Sequence, residues 1–181
     1  MKTTDFLGKE WEIECFGCSV STGTMKVPGG FIESTPHFVV HQDPLIPLPG
    51  FVVIASVRHF QRLDEMTDTE YRDFASLLRK THTAIKVVTG IEHLTLIQKE
   101  SSTHFHLWFF PWTESVIRQH GKPNLSKIRE VWAQYRKDQV SEEEWYSLNA
   151  SIVKLRAMFS EGKDQPARAT SLLGTDDNVR S

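Results

Sequence analysis

Two histidines that lie one residue apart are the first feature of this sequence that could do chemistry. They occur in STHFHLWFFPW, residues 102–112, a segment that is otherwise largely aromatic or apolar. Side chains of an extended strand alternate between its two faces, so His104 and His106 are predicted on one face and Phe105 and Leu107 on the other. A neutral imidazole can act as a nucleophile or as a metal ligand. An isolated His-x-His motif is more often structural than functional, so the surrounding sequence must decide.

The two cysteines form a second candidate site. Cys15 and Cys18 have the Cys-x-x-Cys spacing that occurs both in metal sites and in redox pairs. A redox pair usually opens a helix within a βαβ unit, and the sequence predicts no such helix here. Two inert thiols fit the spacing equally well. The motif by itself therefore leaves metal binding, redox chemistry and an inert role open.

Composition and charge exclude several classes of protein. The chain has 181 residues, enough for one domain or for a domain with an appendage. Its formal net charge is −2 and no long run of one sign occurs, so we expect no nucleic-acid partner. The sequence contains no apolar stretch long enough to span a membrane, and its N-terminus is too polar for a signal peptide. We therefore expect a cytoplasmic protein that does not bind membranes.

One long helix is predicted in the middle of the chain. Thr67 and Glu70 have the spacing of a capping box, and apolar residues follow at helical intervals until Gly90. The pattern predicts a single amphipathic helix over residues 68–89.

Short apolar runs that are separated by proline and glycine predict strands on both sides of this helix. The runs before it are FIES, HFVVHQ and FVVIASV, and those after it are HLTLIQK and HFHLWFF, which a short loop joins as a hairpin. Two further helices are predicted over residues 125–138 and 141–160. Because only one helix lies between strands, this order predicts an α+β domain with a mainly antiparallel sheet.

The order of these features resembles the histidine triad (HIT) family of nucleotide hydrolases and transferases. The family signature is His-φ-His-φ-His-φ-φ, where φ is apolar, and it reads here His104-Phe105-His106-Leu107-Trp108-Phe109-Phe110. A tryptophan thus stands at the third histidine position. The upstream family pattern is matched by Asp43, by Pro49-Gly50, by the apolar run 51–57 and by His59.

The resemblance implies a HIT-like fold with a five-stranded sheet and one long helix. It spans roughly residues 12–112 and does not include the two C-terminal helices. We accordingly divide the chain into a HIT-like catalytic domain, a C-terminal helical appendage and a disordered tail, over residues 1–120, 121–161 and 162–181. HIT proteins are commonly dimers, so the resemblance also implies a homodimer.

By the same resemblance, His106 is the nucleophile that attacks the α-phosphorus of a nucleotide and forms a nucleotidyl-histidine intermediate. Water or phosphate then resolves the intermediate. Asp43 would bind the ribose hydroxyls, although an aspartate before a proline is equally natural in a turn. The remaining substrate contacts are predicted at Gln98, Ser101, Ser102 and Trp108.

Tryptophan at position 108 bears on the type of substrate. An indole N–H donates a hydrogen bond but cannot shuttle a proton, so the leaving group must be good without protonation or must be protonated by another group. The resemblance is to a diadenosine polyphosphate hydrolase-like branch, and the expected substrate is a dinucleoside polyphosphate or a phosphoramidate. Two alternatives remain: a nucleotide-binding module with little turnover, and a zinc-stabilised interaction domain.

Many bacterial HIT proteins resemble this chain at the Cys-x-x-Cys motif and bind zinc. The resemblance assigns the zinc ligands to Cys15, Cys18, His59 and His104. Two thiolates and two imidazoles form a closed tetrahedral set, which predicts a structural zinc rather than a catalytic one.

Other histidines and tryptophans have predicted structural roles. His37 and His41 are expected to be surface imidazoles that flank the nucleotide pocket. Trp112, Trp132 and Trp145 are expected to anchor the C-terminal helices to the body of the protein or to a dimer partner.

Overall fold

A five-stranded antiparallel sheet is the centre of the computed structural model, which describes residues 1–161. An N-terminal hairpin of two short strands precedes it. The strands are β1 (Lys2–Thr4), β2 (Glu10–Glu12), β3 (Phe31–Ser34), β4 (Phe38–Gln42), β5 (Val52–Ser56), β6 (Leu94–Gln98) and β7 (His106–Pro111). The order in the main sheet is β3-β4-β5-β7-β6. The predicted α+β class and five-stranded sheet are confirmed, and the predicted disordered tail lies outside the described residues.

Five α-helices surround the sheet within residues 1–161. They are α1 (Phe16–Ser21), α2 (Asp68–Thr89), α3 (Glu114–His120), α4 (Ile128–Tyr135) and α5 (Glu142–Glu161). The ends of α2 are those predicted: Thr67 and Glu70 form the capping box, and Gly90 adopts the left-handed conformation that ends the helix. None of the helices in the described part of the chain is long and apolar enough to cross a membrane.

Alternation along the strands gives the sheet two different faces. One face carries Phe105, Leu107 and Phe109 into the main core beneath α2 and α5. The other face carries Trp108 and Phe110, as the period of two predicts. Helices α1 and α4 lie on this second side, where the cavity described below is found. The sheet therefore separates the main core from the candidate site.

Helix α5 completes the main core. Its apolar residues in that core are Leu148, Ile152, Leu155 and Phe159. The Arg156 guanidinium donates hydrogen bonds to the carbonyls of Phe31 and Gly29, which ties α5 to the start of β3. Trp145 contacts Phe6 with 6.1 Å between ring centroids. The predicted anchoring role of Trp145 is therefore confirmed, with the body of the protein as the surface that it contacts.

Three elements were not predicted from the sequence: the β1–β2 hairpin, α1 and α3. Each is short, with three residues per strand and six or seven per helix. Periodicity needs more than two turns to be visible, so tertiary contacts decide such segments.

The expectation that no helix follows the Cys-x-x-Cys motif was wrong, because α1 begins directly after Cys15. The strands that follow it are antiparallel, so no βαβ unit forms.

Candidate active site and metal centre

His106 is held at the start of β7 by a hydrogen bond to its own strand. Its Nδ1 lies 3.0 Å from the carbonyl oxygen of His104. A carbonyl only accepts, so Nδ1 carries the proton and Nε2 of the neutral ring keeps its lone pair. Burial lowers the pKa of the His106 imidazole, the hydrogen bond to His104 raises it, and the nearby Lys99 charge lowers it. The ring therefore presents an unprotonated nitrogen.

A cavity of about 170 Å³ lies beside this ring. Strands β4, β5 and β7 form its floor, and α1, α4 and the loop before β7 form its walls. The polar or aromatic residues that line it are Phe16, His41, Asp43, Ser102, Thr103, His104, His106, Trp108 and Trp132. The cavity brings the candidate nucleophile together with three of the five predicted substrate contacts, namely Asp43, Ser102 and Trp108.

Asp43 has a structural role as well as a place in the cavity wall. Its Oδ1 accepts hydrogen bonds from the backbone N–H groups of Leu45 and Ile46, at 2.9 and 3.0 Å, which forms the turn after β4. Within residues 1–161, no group hydrogen-bonds to Oδ2. Burial raises the pKa of Asp43 to about 6, against the lowering effect of those N–H groups and of Arg136. One oxygen therefore shapes the turn and the other is free for a ligand.

Four donor atoms of the Cys-x-x-Cys motif and two histidines form a cluster next to the cavity. Each sulfur lies 3.1–3.6 Å from Nδ1 of His59 and of His104, and these two nitrogens are 3.3 Å apart. Tetrahedral zinc, with bonds of about 2.3 Å to sulfur and 2.0 Å to nitrogen, requires sulfur–nitrogen separations of about 3.5 Å and a nitrogen–nitrogen separation of about 3.3 Å. The side chains of Cys15, Cys18, His59 and His104 therefore fit a zinc ion.

The surroundings of this cluster orient His104. Its Nε2–H donates to the carbonyl of Ser56 at 2.8 Å, which leaves Nδ1 to face the two sulfurs. Such a hydrogen bond on the far nitrogen is typical of metal-binding histidines. Gly17 packs directly against the His104 ring, where a Cβ atom would overlap it. The same imidazole is therefore a wall of the cavity and a donor of the cluster.

Comparison with solved structures finds the same arrangement of strands and helices in other proteins. A hypothetical histidine triad nucleotide-binding protein from Sulfolobus tokodaii is 18% identical, with a TM-score of 0.58 over 82% of this chain and 94% of that chain. A zinc-bound histidine triad family protein from Mycobacterium smegmatis is 15% identical, with a TM-score of 0.53 over 80% and 96%. This chain has the histidine triad fold. A Hit-like protein from Bartonella henselae is 12% identical, with a TM-score of 0.56 over 82% and 98%. No protein-family model and no curated protein matches the sequence.

Two of the predicted substrate contacts lie away from the cavity of this histidine triad fold. Gln98 pairs with Leu107, whose side chain enters the main core, and the Gln98 amide donates to the carbonyl of Gln61 at 3.2 Å. Ser101 is exposed in the loop and is not part of the cavity wall. Its neighbour Ser102 does line the cavity.

His41 is buried, which corrects the prediction that its imidazole lies on the surface. The sequence predicted an exposed imidazole, but His41 is only 2% exposed and lines the cavity. Its Nδ1 donates to the carbonyl of Gln42 at 2.8 Å, and burial lowers the pKa of the ring to about 4. The ring is therefore neutral at pH 7. All five residues of β4 are buried, so both faces of this strand are covered, which strand alternation alone does not reveal.

Sequence reasoning missed Lys99 and understated Trp132. Register places Ile97 opposite Trp108 and Gln98 opposite Leu107, so one further step places Lys99 opposite His106 on the cavity side. Trp132 was expected to anchor α4, and it does pack in the cluster around Phe110. It also forms part of the cavity wall. The signal for Lys99 was its position two residues after Ile97 on an alternating strand.

Proposed function

We propose that this protein is a nucleotide hydrolase or nucleotidyltransferase that works through a nucleotidyl-histidine intermediate on His106. The observation that carries this proposal is the His106 ring, whose Nδ1 donates to the His104 carbonyl while the cavity lies beside it. A fixed tautomer with a free Nε2 lone pair is what attack on phosphorus requires. The nucleotide-binding description of the Sulfolobus tokodaii protein, which has the same fold, supports this class of ligand.

The first chemical step forms a bond between Nε2 of His106 and the α-phosphorus, and the bond from phosphorus to the leaving group breaks. The leaving group takes the electron pair of that bond. The imidazole keeps its Nδ1 proton, so the nucleotidyl-histidine ring carries a positive charge that the His104 carbonyl stabilises. No base is needed, because the attacking nitrogen is already unprotonated.

The second step resolves the intermediate. Water or phosphate attacks phosphorus, the P–N bond breaks, and its electron pair returns to Nε2 of His106. With water, the products are a nucleoside monophosphate and a proton. With phosphate, they are a nucleoside diphosphate and the free enzyme. Splitting one displacement into two in this way is the general advantage of covalent catalysis.

Substrate recognition is proposed for three residues of the cavity. Asp43 would accept hydrogen bonds from the ribose hydroxyls through Oδ2, and Ser102 would donate its hydroxyl to the phosphate. Trp108 lies 5.2 Å from the His106 ring, centroid to centroid, and would pack beside the reacting group. Gln98 and Ser101 lie outside the cavity, so they would contact only those parts of the substrate that extend beyond it.

The substrate is proposed to be a dinucleoside polyphosphate or a phosphoramidate. Trp108 stands where the resemblance places the third histidine of the triad, and its N–H cannot protonate a leaving group. A polyphosphate departs as a stable anion, whereas an amine requires a proton. Both substrate classes are therefore used in the mass-spectrometry experiment described below.

Zinc is proposed as a structural ion. Cys15, Cys18, His59 and His104 would hold it, with no position left for substrate. When bound, it would crosslink α1 to the end of β5 and to the residue two positions before His106. The zinc-bound Mycobacterium smegmatis protein of the same fold supports this proposal.

Intact-mass spectrometry tests the function. The protein is mixed briefly with diadenosine tetraphosphate or with adenosine phosphoramidate, quenched and weighed. We expect an added adenylate group, located on His106 by peptide mapping. The adduct should be absent in His106→Ala and unchanged in His93→Ala, since His93 has an exposed side chain outside the site. Turnover with no adduct on His106 would contradict the proposal.

A nucleotide-binding module is the second candidate function, because the Trp108 indole cannot protonate a leaving group as a histidine at this position could. Calorimetric titration with AMP separates the two functions when it is combined with the mass experiment. Binding with no adduct and no product from either substrate would favour the module. Neither binding nor adduct would favour a zinc-stabilised interaction domain.

A further inference from the structure

We propose that a second cavity, formed by β6, β7 and α4, binds the leaving group, and that this group is an anionic nucleoside polyphosphate rather than an amine. This inference rests on the proposed function, which supplies the nucleophile. It goes further by assigning a site and a charge to the part of the substrate that departs.

The two cavities share a wall. Trp108 and Trp132 line both the cavity beside His106 and the second one, which has a volume of about 540 Å³. A group attached to phosphorus at His106 can therefore pass along these two indoles from one space to the other. The Nε1 of Trp132 is buried without a hydrogen-bond partner among the described residues, so it is a donor that a ligand in either space could satisfy.

Lys99 connects the second cavity to the nucleophile. It lines the cavity, and the β6–β7 register extended by one residue places it opposite His106 on the same face. Directly opposed residues on one face of an antiparallel pair lie about 5 Å apart at Cβ. An ammonium at this position can contact a phosphate that is bonded to the α-phosphorus.

The second cavity has cations but no anions in its wall. Its charged residues are Lys99 and Arg129, and neither side chain has an ion pair or a hydrogen bond to any residue in the range 1–161. The remaining lining residues are Ile97, Trp108, Leu125, Ile128 and Trp132. Leu125 is 71% exposed, so its side chain is accessible to a ligand in this cavity. Unpaired cations beside aromatic and apolar surface fit a phosphate chain that carries a base.

The chemistry of the leaving group agrees with the cationic lining of the second cavity. When Nε2 of His106 bonds to the α-phosphorus, the bond to the bridging oxygen breaks and the polyphosphate leaves with the electron pair, as an anion. Lys99 and Arg129 would stabilise that added charge without transferring a proton. An amine would have to take up a proton as it leaves, and the Trp108 indole cannot donate one.

Paired substrates and charge-removing variants test this inference. Lys99→Met and Arg129→Met should each lower kcat/KM for diadenosine tetraphosphate by about 10- to 100-fold, the range expected for one charge-assisted contact. In both variants kcat/KM for adenosine phosphoramidate should fall by a much smaller factor, so that the ratio of kcat/KM between the two substrates drops by about 10-fold, because the amine leaving group has no charge to bind. The matched control is Lys154→Met, an exposed lysine on α5, which should behave as the wild type with both substrates.

The outcomes distinguish this inference from the function on which it rests. If His106 is labelled by both substrates and the two variants lower both activities equally, the inference is wrong and the function stands. If the phosphoramidate is the better substrate and the variants affect neither, the inference is also wrong. If neither substrate labels His106, the proposed function fails and the inference fails with it. Thermal melting of each variant checks that the substitutions leave the fold intact.

Discussion

Glycine at position 17 allows His104 to approach the Cys-x-x-Cys motif at the start of α1. A Cβ atom there would overlap the imidazole of His104, whose far side is held by Ser56. Gly17→Ala should therefore displace the ring and open the donor cluster. We expect the zinc content of the purified protein, measured by atomic emission, to fall well below that of the wild type.

The control for this variant is Ser19→Ala, which changes the same helix at a side chain that makes no hydrogen bond among the described residues. It should retain the wild-type zinc content. Equal zinc content in Gly17→Ala would show that the cluster tolerates the displacement, and would contradict the proposed packing.

Asp43 combines a proposed ligand-binding position with a cost in stability. Its pKa is raised from 3.8 to about 6, chiefly by burial. For a carboxyl with a raised pKa, the folded state binds the proton more tightly, so stability is lost as the pH rises from 3.8 through 6. Asp43→Asn keeps the acceptor oxygen for the turn and removes the charge. At pH 8 this variant should be more stable than the wild type by about 1 to 3 kcal/mol.

Urea unfolding at pH 8 and at pH 4 measures this difference, which should nearly vanish at the lower pH. Asp138→Asn, at an exposed aspartate, is the matched control and should show no such dependence. The same Asp43→Asn protein should bind AMP more weakly, because an amide is a poorer acceptor for ribose hydroxyls. A variant that is less stable at pH 8 would contradict the assignment.

At the scale of elements, an ion pair connects the end of β5 to the start of α2. The Arg58 guanidinium donates to both carboxylate oxygens of Glu70, at 2.8 and 2.9 Å, and Glu70 also caps the helix through the N–H of Thr67. These contacts, with Arg58 the largest, lower the pKa of Glu70 from 4.5 to about 2. The residue that follows Arg58 is His59, so the Arg58–Glu70 ion pair also orients the chain where it enters the donor cluster.

Glu70→Gln should destabilise the protein at pH 7 by about 1 to 2 kcal/mol, less than the full pKa shift implies because Arg58 is half exposed. For a carboxyl with a lowered pKa, the stabilisation is present above pH 4.5 and is lost as the pH falls through 2. Urea unfolding should therefore show the gap between wild type and variant closing over that window. Glu92→Gln, at an exposed carboxylate, should match the wild type throughout. A gap that is constant with pH would contradict the ion-pair assignment.

The whole molecule depends on contacts that are distant in sequence. The proposed zinc would join residues 15 and 18 to residues 59 and 104, which closes the N-terminal segment onto the sheet. Metal that binds only the folded state stabilises it, so removal of zinc with a chelator should lower the melting temperature by several degrees. Differential scanning fluorimetry with and without chelator measures the change.

In this experiment Cys15→Ser is the informative variant, because it should start at the lower melting temperature and should not respond to the chelator. A chelator effect of equal size in the variant would contradict the four-ligand site.

The homodimer, the cytoplasmic location and the boundary between residues 120 and 121 stay predictions. Sedimentation velocity of the full chain tests the first of these directly.

The fold was largely predictable because its signals are local and repeated. The capping box and a helical spacing of apolar residues over 22 positions predicted α2. Alternating apolar runs bounded by glycine and proline predicted the five strands of the sheet. The β1–β2 hairpin, α1 and α3 escaped because each is too short to have a period. Their positions depend on packing against residues far away in the chain.

By itself, the sequence determined which side chains alternate in β7 and where α2 begins and ends. Its resemblance to the histidine triad family added which four residues are expected to bind zinc. Only the tertiary structure decided which of the candidate residues meet. It turned Gln98 away from the cavity and brought Lys99 towards it, buried His41, and placed Trp132 of α4 in the cavity wall together with Trp108. The physical reason is that strand register and helix packing are set by contacts between distant segments, and a one-residue change in register moves a side chain to the opposite face.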